Sequence, residues 1–146
     1  MFEQILVPLD GSEYADRALS TAIAIAKRFS SDIILVHVVV AASTIISSLE
    51  GIGPSILIDL KKQLEDMGKQ ILENGAKKTR AEGIPTITIV ESGNPPDKIL
   101  QIAEKRKVDL IVIGDRGLGM VARFFLGSVA DKVTRYAKCP VLIVKS

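Results

Sequence analysis

The chain has 146 residues, the length of one ordinary domain, and 47% of them are apolar, which is ample for one buried core. Nineteen basic against seventeen acidic side chains leave a formal charge of +2, spread along the chain without a basic block, so composition gives no reason to expect a nucleic-acid partner. The longest nearly uncharged stretch, Ile33 to Leu49, is broken by His37 and several Ser and Thr residues and falls short of the ~20 apolar residues of a bilayer span, so no membrane role is expected.

The N-terminus enters a strand-like run at once, Gln4 to Leu9, without the charged head, apolar middle and small-residue cleavage site of a secretory signal. Cys139 is the single cysteine, which allows neither an internal disulfide nor a cysteine-rich zinc site. A reducing, cytoplasmic setting is the expectation. The next pattern is helical: from Glu13 to Phe29, Ala15, Ala18, Leu19, Ala22, Ile25, Ala26 and Phe29 fall near one stripe, with Ser12 placed to cap it. A second β-branched run, Asp32 to Val40, is followed by an irregular segment, residues 41–55, in which apolar side chains alternate with serines and glycines. That segment reads as a loop packed on the body or on a second subunit.

A long helical pattern follows through Leu57, Leu60, Leu64, Met67 and Ile71, with Gly83 suited to a left-handed stop. Strand Thr86 to Glu91 comes next, then a helix opened by Asn94, Pro95 and Pro96 that buries Ile99, Ile102 and Ala103. Strand Asp109 to Ile113, a helix capped by Ser128 with Asp131 in a shortened capping box, and strand Pro140 to Val144 complete the series. Strict alternation of strand and helix predicts an α/β chain: a single-domain, open, parallel five-stranded sheet with helices on both faces, a Rossmann-like arrangement over residues 1–146.

In such sheets ligands bind beyond the carboxyl ends of the strands where the strand order reverses. For the common order 3-2-1-4-5 that point lies between the first and fourth strands. The loops there are Pro8-Leu9-Asp10-Gly11-Ser12 and Gly114-Asp115-Arg116-Gly117-Leu118-Gly119. Glycines permit close approach of the backbone to a ligand, the helix opening near Ser128 aims N–H groups at an anion, and Arg116 adds a cation, so a phosphate-bearing ligand fits. Spacing alone leaves open the alternative that the glycines only allow tight turns and Ser128 only caps its helix. No Walker motif and no dinucleotide fingerprint is present, since Gly127-Ser128 sits between Leu126 and Val129 and the first strand runs into Asp10-Gly11-Ser12-Glu13.

These residues resemble the universal stress protein family, in its ATP-binding branch. The branch carries Gly, two residues, Gly, nine residues, then Gly and Ser or Thr; here the positions are Gly114, Gly117, Gly127 and Ser128. The likeness runs from Ile5-Leu6-Val7-Pro8-Leu9-Asp10-Gly11-Ser12 through His37-Val38-Val39 to Cys139-Pro140-Val141-Leu142-Ile143-Val144. It implies ATP, with Mg2+, lying across the ends of the first, second and fourth strands. By position, Pro8, Leu9 and Asp10 would line the adenosine side and Val38 would offer its backbone to adenine. Ile113 and Gly114 would lie beside ribose and phosphates, with Arg116, Gly117, Gly127, Ser128 and Val129 around the phosphate chain. The family also commonly pairs its last strand with that of a second subunit, which implies a homodimer through Val141 to Val144.

One departure stands out: the family commonly has Ser or Thr after the first glycine, where this chain has Asp115. A carboxylate facing phosphates repels them unless Mg2+ intervenes or the side chain turns outward. Asp10 suits either a magnesium ion or loop N–H groups. His37, inside an apolar run, reads as a packed, hydrogen-bonded strand residue, Cys139 as a buried small apolar one, and Arg123 as less suited to a ligand than Arg116.

The functional expectation is a nucleotide-dependent switch or partner-binding module of the stress response. It would hydrolyse ATP slowly at most, because no obvious general base accompanies the phosphate donors. Its protein partner is not named by the sequence. Two rival readings use the same fold: a phosphoryl- or adenylyl-transfer enzyme with Asp10 and Asp115 holding metal, and a nucleotide-free interaction protein. A receiver domain is disfavoured, because Glu91-Ser92-Gly93-Asn94 follows the third strand where a phosphoacceptor Asp is needed.

Overall fold

Continuous apolar runs, whose successive side chains point to opposite faces, need cover on both faces of a sheet, and the chain supplies it with two pairs of helices. A computed structural model describes residues 1–40, 51, 53–117 and 126–146. Its strands are β1 (Gln4–Pro8), β2 (Asp32–Val40), β3 (Thr86–Gly93), β4 (Leu110–Gly114) and β5 (Val141–Val144). The helices are α1 (Glu13–Phe29), α2 (Pro54–Ala81), α3 (Pro95–Lys105) and α4 (Ser128–Tyr136). All strand pairs are parallel and the order is β3-β2-β1-β4-β5, as the alternation predicted. The order reverses between β1 and β4, where Ile5 pairs Leu110 and Leu6 pairs Ile111.

The two faces have separate cores. Ile5, Val7 and Leu35 point toward α1 and α2, meeting Leu19, Ala22, Leu72 and Ala76. Leu6, Ile34, Val36 and Ile111 point the other way, toward Ile99 and Ile102 of α3 and Val133 of α4. Consecutive residues of β1 thus enter different cores, the two-residue period of a strand made visible. Right-handed crossovers explain the division: the connections leading outward to β2 and β3 lie on one face, and those leading back to β4 and β5 on the other.

Local signals act as read at most helix ends. Ser12 Oγ accepts the Ala15 N–H at 3.2 Å and Asn94 Oδ1 accepts that of Asp97 at 3.4 Å, each satisfying an orphan donor. Gly83, at φ +73°, ends the turn after α2 by donating its N–H to the Arg80 carbonyl at 2.9 Å. Two expectations need correction. Pro54 and Ser55, placed in the irregular segment, form the first turn of α2, because Pro at the first helical position loses no hydrogen bond and Gly53 serves as N-cap. Ser128 does not cap α4: Gly127 is the N-cap, its carbonyl accepting from Asp131 at 2.9 Å, and Ser128 is the first helical residue. Most of the irregular segment, residues 41–50 and 52, lies outside the described residues. Among those described, no helix is long and apolar enough to cross a membrane.

Candidate functional site

Where β1 and β4 part, the two glycine-bearing loops and the carboxyl end of β2 enclose a cleft of 620 Å³. Its volume is in the range of a small-molecule or cofactor site. The first loop is held from β2: Leu9 donates its N–H to the Val36 carbonyl at 2.8 Å, and its own carbonyl lies 2.8 Å from His37 Nδ1. A carbonyl can only accept, so Nδ1 carries the hydrogen. Gly11 then turns the chain at φ +85°, and Asp10 Oδ1 accepts the Ser12 N–H at 2.9 Å. The loop hydrogen bond, one of the two roles open to Asp10, is formed.

The second loop needs its glycines for approach. A Cβ on Gly114 would lie 2.9 Å from the Tyr14 carbonyl oxygen, so only glycine lets β4 pass the start of α1. A Cβ on Gly117 would lie 2.6 Å from Asp10 Oδ2, which brings the two loops into register. Gly127 closes the arrangement by donating its N–H to the Asp115 carbonyl at 2.7 Å, setting the N-terminus of α4 against the loop. The stretch between, residues 118–125 with Arg123, lies outside the described residues.

All the residues assigned by resemblance reach this cleft. Pro8, Leu9, Asp10 and Val38 line one part, and Ile113, Gly114, Arg116, Gly117, Gly127, Ser128 and Val129 another. The second part is lined by Arg116, the exposed Ser128 and the other residues that open α4, which carry donors suited to an anion. The first is largely apolar, extended by Leu64, Met67 and Ile71 of α2. That helical wall was not foreseen, nor was the place of His37 in the lining. Glycines at Gly68 and Gly75 allow it: added Cβ atoms there would lie 2.5 Å from His37 Cδ2 and 2.6 Å from Leu9 Cδ1. A seven-residue spacing of glycines on one helical face was the available signal.

Arg116 and Asp115 differ in direction. Arg116 lines the cleft and places its guanidinium 5.4 Å from the centre of the Tyr14 ring, a cation–π contact. Asp115 does not line the cleft; its Oδ2 accepts the N–H and the hydroxyl of Ser146, at 3.1 and 3.2 Å. Of the ways to reconcile a carboxylate with this loop, the structure takes the outward turn. Asp10 and Asp115 are therefore not assembled as a metal pair, and no group of three or more His, Cys, Asp or Glu residues is clustered among the described residues.

The sequence profile of the universal stress protein family matches residues 1–145. The chain belongs to this family. It is 38% identical to universal stress protein YxiE of Bacillus subtilis over 99% of this chain and 100% of that one. The solved structure of MJ0577, a universal stress protein of Methanocaldococcus jannaschii, superimposes with a TM-score of 0.87 at 33% identity, covering 100% of this chain and 97% of the other. A universal stress protein solved in complex with cAMP matches with a TM-score of 0.69 at 26% identity, over 99% and 97% of the two chains. The universal stress protein assignment explains the five-stranded order and the glycine spacing together.

Proposed function

We propose that the cleft binds ATP with Mg2+, and that the protein works as a nucleotide-dependent switch or partner-binding module of the stress response. The observation that carries this reading is the division of one cleft into an apolar part and a donor-rich part. Leu9, Val38 and Met67 suit a base, while Arg116, Gly127 and Ser128 at the start of α4 suit phosphates. The likeness to a protein solved with cAMP supports a nucleotide of adenine type. Asp10 is the carboxylate of the described lining, and it is the side chain placed to meet a magnesium ion carried in by the triphosphate.

Slow hydrolysis at most fits the side chains present. A general base needs a free acceptor within reach of the attacking water. Asp10 Oδ1 is taken up by the Ser12 N–H, and His37 is held by its Nδ1–H to the Leu9 carbonyl with its other ring nitrogen turned toward Gly68 of α2, so both side chains are engaged in holding the loop and the wall. The protein is also proposed to be a cytoplasmic homodimer. Among the described residues β5 pairs only β4, and Leu142 on it is 37% exposed, leaving an apolar edge that a second copy would cover.

Calorimetric titration with Mg-ATP, alongside Gly127→Val, tests the site. Wild-type binding that the variant loses supports it, because a side chain at Gly127 would press on the Arg116 Cα at 3.1 Å. No binding by nucleotide-free wild-type protein would overturn the reading in favour of a nucleotide-independent interaction module.

A further inference from the structure

Ser146 stands two residues beyond β5 and thirty-one beyond Asp115, yet it is bonded to both residues that follow Gly114. Its N–H and hydroxyl both donate to Asp115 Oδ2, at 3.1 and 3.2 Å. Its hydroxyl oxygen in turn accepts from Arg116 Nη2 at 2.6 Å. The hydroxyl is thus a bridge from guanidinium to carboxylate. The two charges also form a loose direct ion pair, Arg116 Nε lying 3.9 Å from Asp115 Oδ1, with both side chains largely buried and neither of those two atoms hydrogen-bonded.

We propose that Ser146 is a positioning residue for the nucleotide site, drawing the Asp115 carboxylate off the cleft and leaving the Arg116 guanidinium presented to it. The proposal rests on the ATP reading of that cleft. Its physical basis is charge placement. A carboxylate whose Oδ2 takes two donors outside the cleft is held away from the phosphates, and a guanidinium held by a neutral hydroxyl on one side and the Tyr14 ring on the other stays only loosely paired with it, at 3.9 Å. Loss of the Ser146 donors would free the carboxylate to close on Arg116 more tightly or to face the phosphates, and either change weakens an anion's attraction. The same contact ties the loop to the chain just past β5, so a second copy seated on the β5 edge would bear on the segment that orients Arg116.

Ser146→Pro removes the N–H and the hydroxyl together, and Asp115→Ser removes the carboxylate. Titrated with Mg-ATP, Ser146→Pro is expected to bind roughly fivefold more weakly than wild type. Its affinity for adenosine, which lacks phosphates, should be unchanged. The double variant Asp115→Ser/Ser146→Pro should regain wild-type affinity, a rescue that a merely structural role for Ser146 would not give. Wild-type Mg-ATP affinity in Ser146→Pro, or a double variant as weak as Ser146→Pro, overturns the proposal. Amide hydrogen exchange of Ser146 in ligand-free protein separates the two readings: protection lost in Asp115→Ser upholds the contact even if no nucleotide binds, whereas an unprotected wild-type amide overturns it even if ATP does bind.

Discussion

His37 Nδ1 donates to the Leu9 carbonyl at 2.8 Å, and the same imidazole ring packs against Gly68 of α2. One side chain therefore fixes the distance between the first loop, the second strand and the helical wall of the cleft. His37→Ala leaves a half-enclosed carbonyl without its donor and is expected to cost about 1–3 kcal/mol of stability. His37→Asn, whose amide nitrogen falls near the place of Nδ1, should recover most of that loss. Gly68→Ala sets helix propensity, a gain of about 1 kcal/mol, against a Cβ 2.5 Å from a ring that its hydrogen bond holds in place. Overpacking of this kind costs about 1–3 kcal/mol, so net destabilisation with weakened Mg-ATP binding is expected. Urea unfolding decides it, and a Gly68→Ala protein more stable than wild type would show that the ring is not pinned.

Ser128 offers a separation of structure from binding. Gly127, not Ser128, is the N-cap of α4, and Ser128 is exposed. Ser128→Ala should therefore change stability by less than about 0.5 kcal/mol, where loss of a true cap would cost about 1 kcal/mol. A hydroxyl bonded to a phosphate is a charge-assisted contact of about 1.5 kcal/mol, so Mg-ATP affinity should fall about tenfold. Equal affinities for wild type and variant would remove Ser128 from the site.

The fold was legible because its determinants are local. Continuous β-branched runs such as Ile33 to Val36 can only be satisfied between two layers, and Ser12 and Asn94 announce helix starts by their own hydrogen bonds. Both loops of the cleft were legible for a related reason: they follow β1 and β4, whose divergence is dictated by strand order. What escaped depends on distance in sequence. No pattern near Asp115 shows that its partner is Ser146, and no pattern near His37 shows that Gly68 makes room for its ring. The capping error is of another kind: Ser-x-x-Asp fits a cap at Ser128, but the carbonyl of Gly127 takes the Asp131 N–H and moves the helix boundary back by one residue.

The β5 edge carries the prediction about assembly. Val112 pairs Leu142 on one side of β5, and the other side pairs no strand of the described sheet. Leu142→Lys places a charge on that edge, which natural sheets use to prevent edge-to-edge pairing. Sedimentation should show wild type as a dimer and the variant as a monomer with unchanged circular dichroism. A variant that still sediments as a dimer would move the interface elsewhere on the molecule.

Cys139 supplies a pH dependence whose sign follows from its surroundings. Burial pushes its thiol above the usual range and the Asp109 carboxylate adds to the rise, while a backbone hydrogen bond at Cys139 offsets part of it. The folded protein thus favours the neutral thiol more than the unfolded chain does. That contribution is fully present below the unfolded thiol's pKa, about 8.5, and is lost as pH climbs through the higher folded value. Between roughly pH 8 and 10 the urea midpoint of wild type should fall further than that of Cys139→Ala, which shares every other titrating group. Alkylation by iodoacetamide near neutral pH should likewise be slower for folded protein than for the urea-unfolded chain, since the thiolate is the nucleophile. Faster alkylation of the folded form would mean that Cys139 is an activated thiol and that its environment is electropositive, the reverse of what its burial and Asp109 impose.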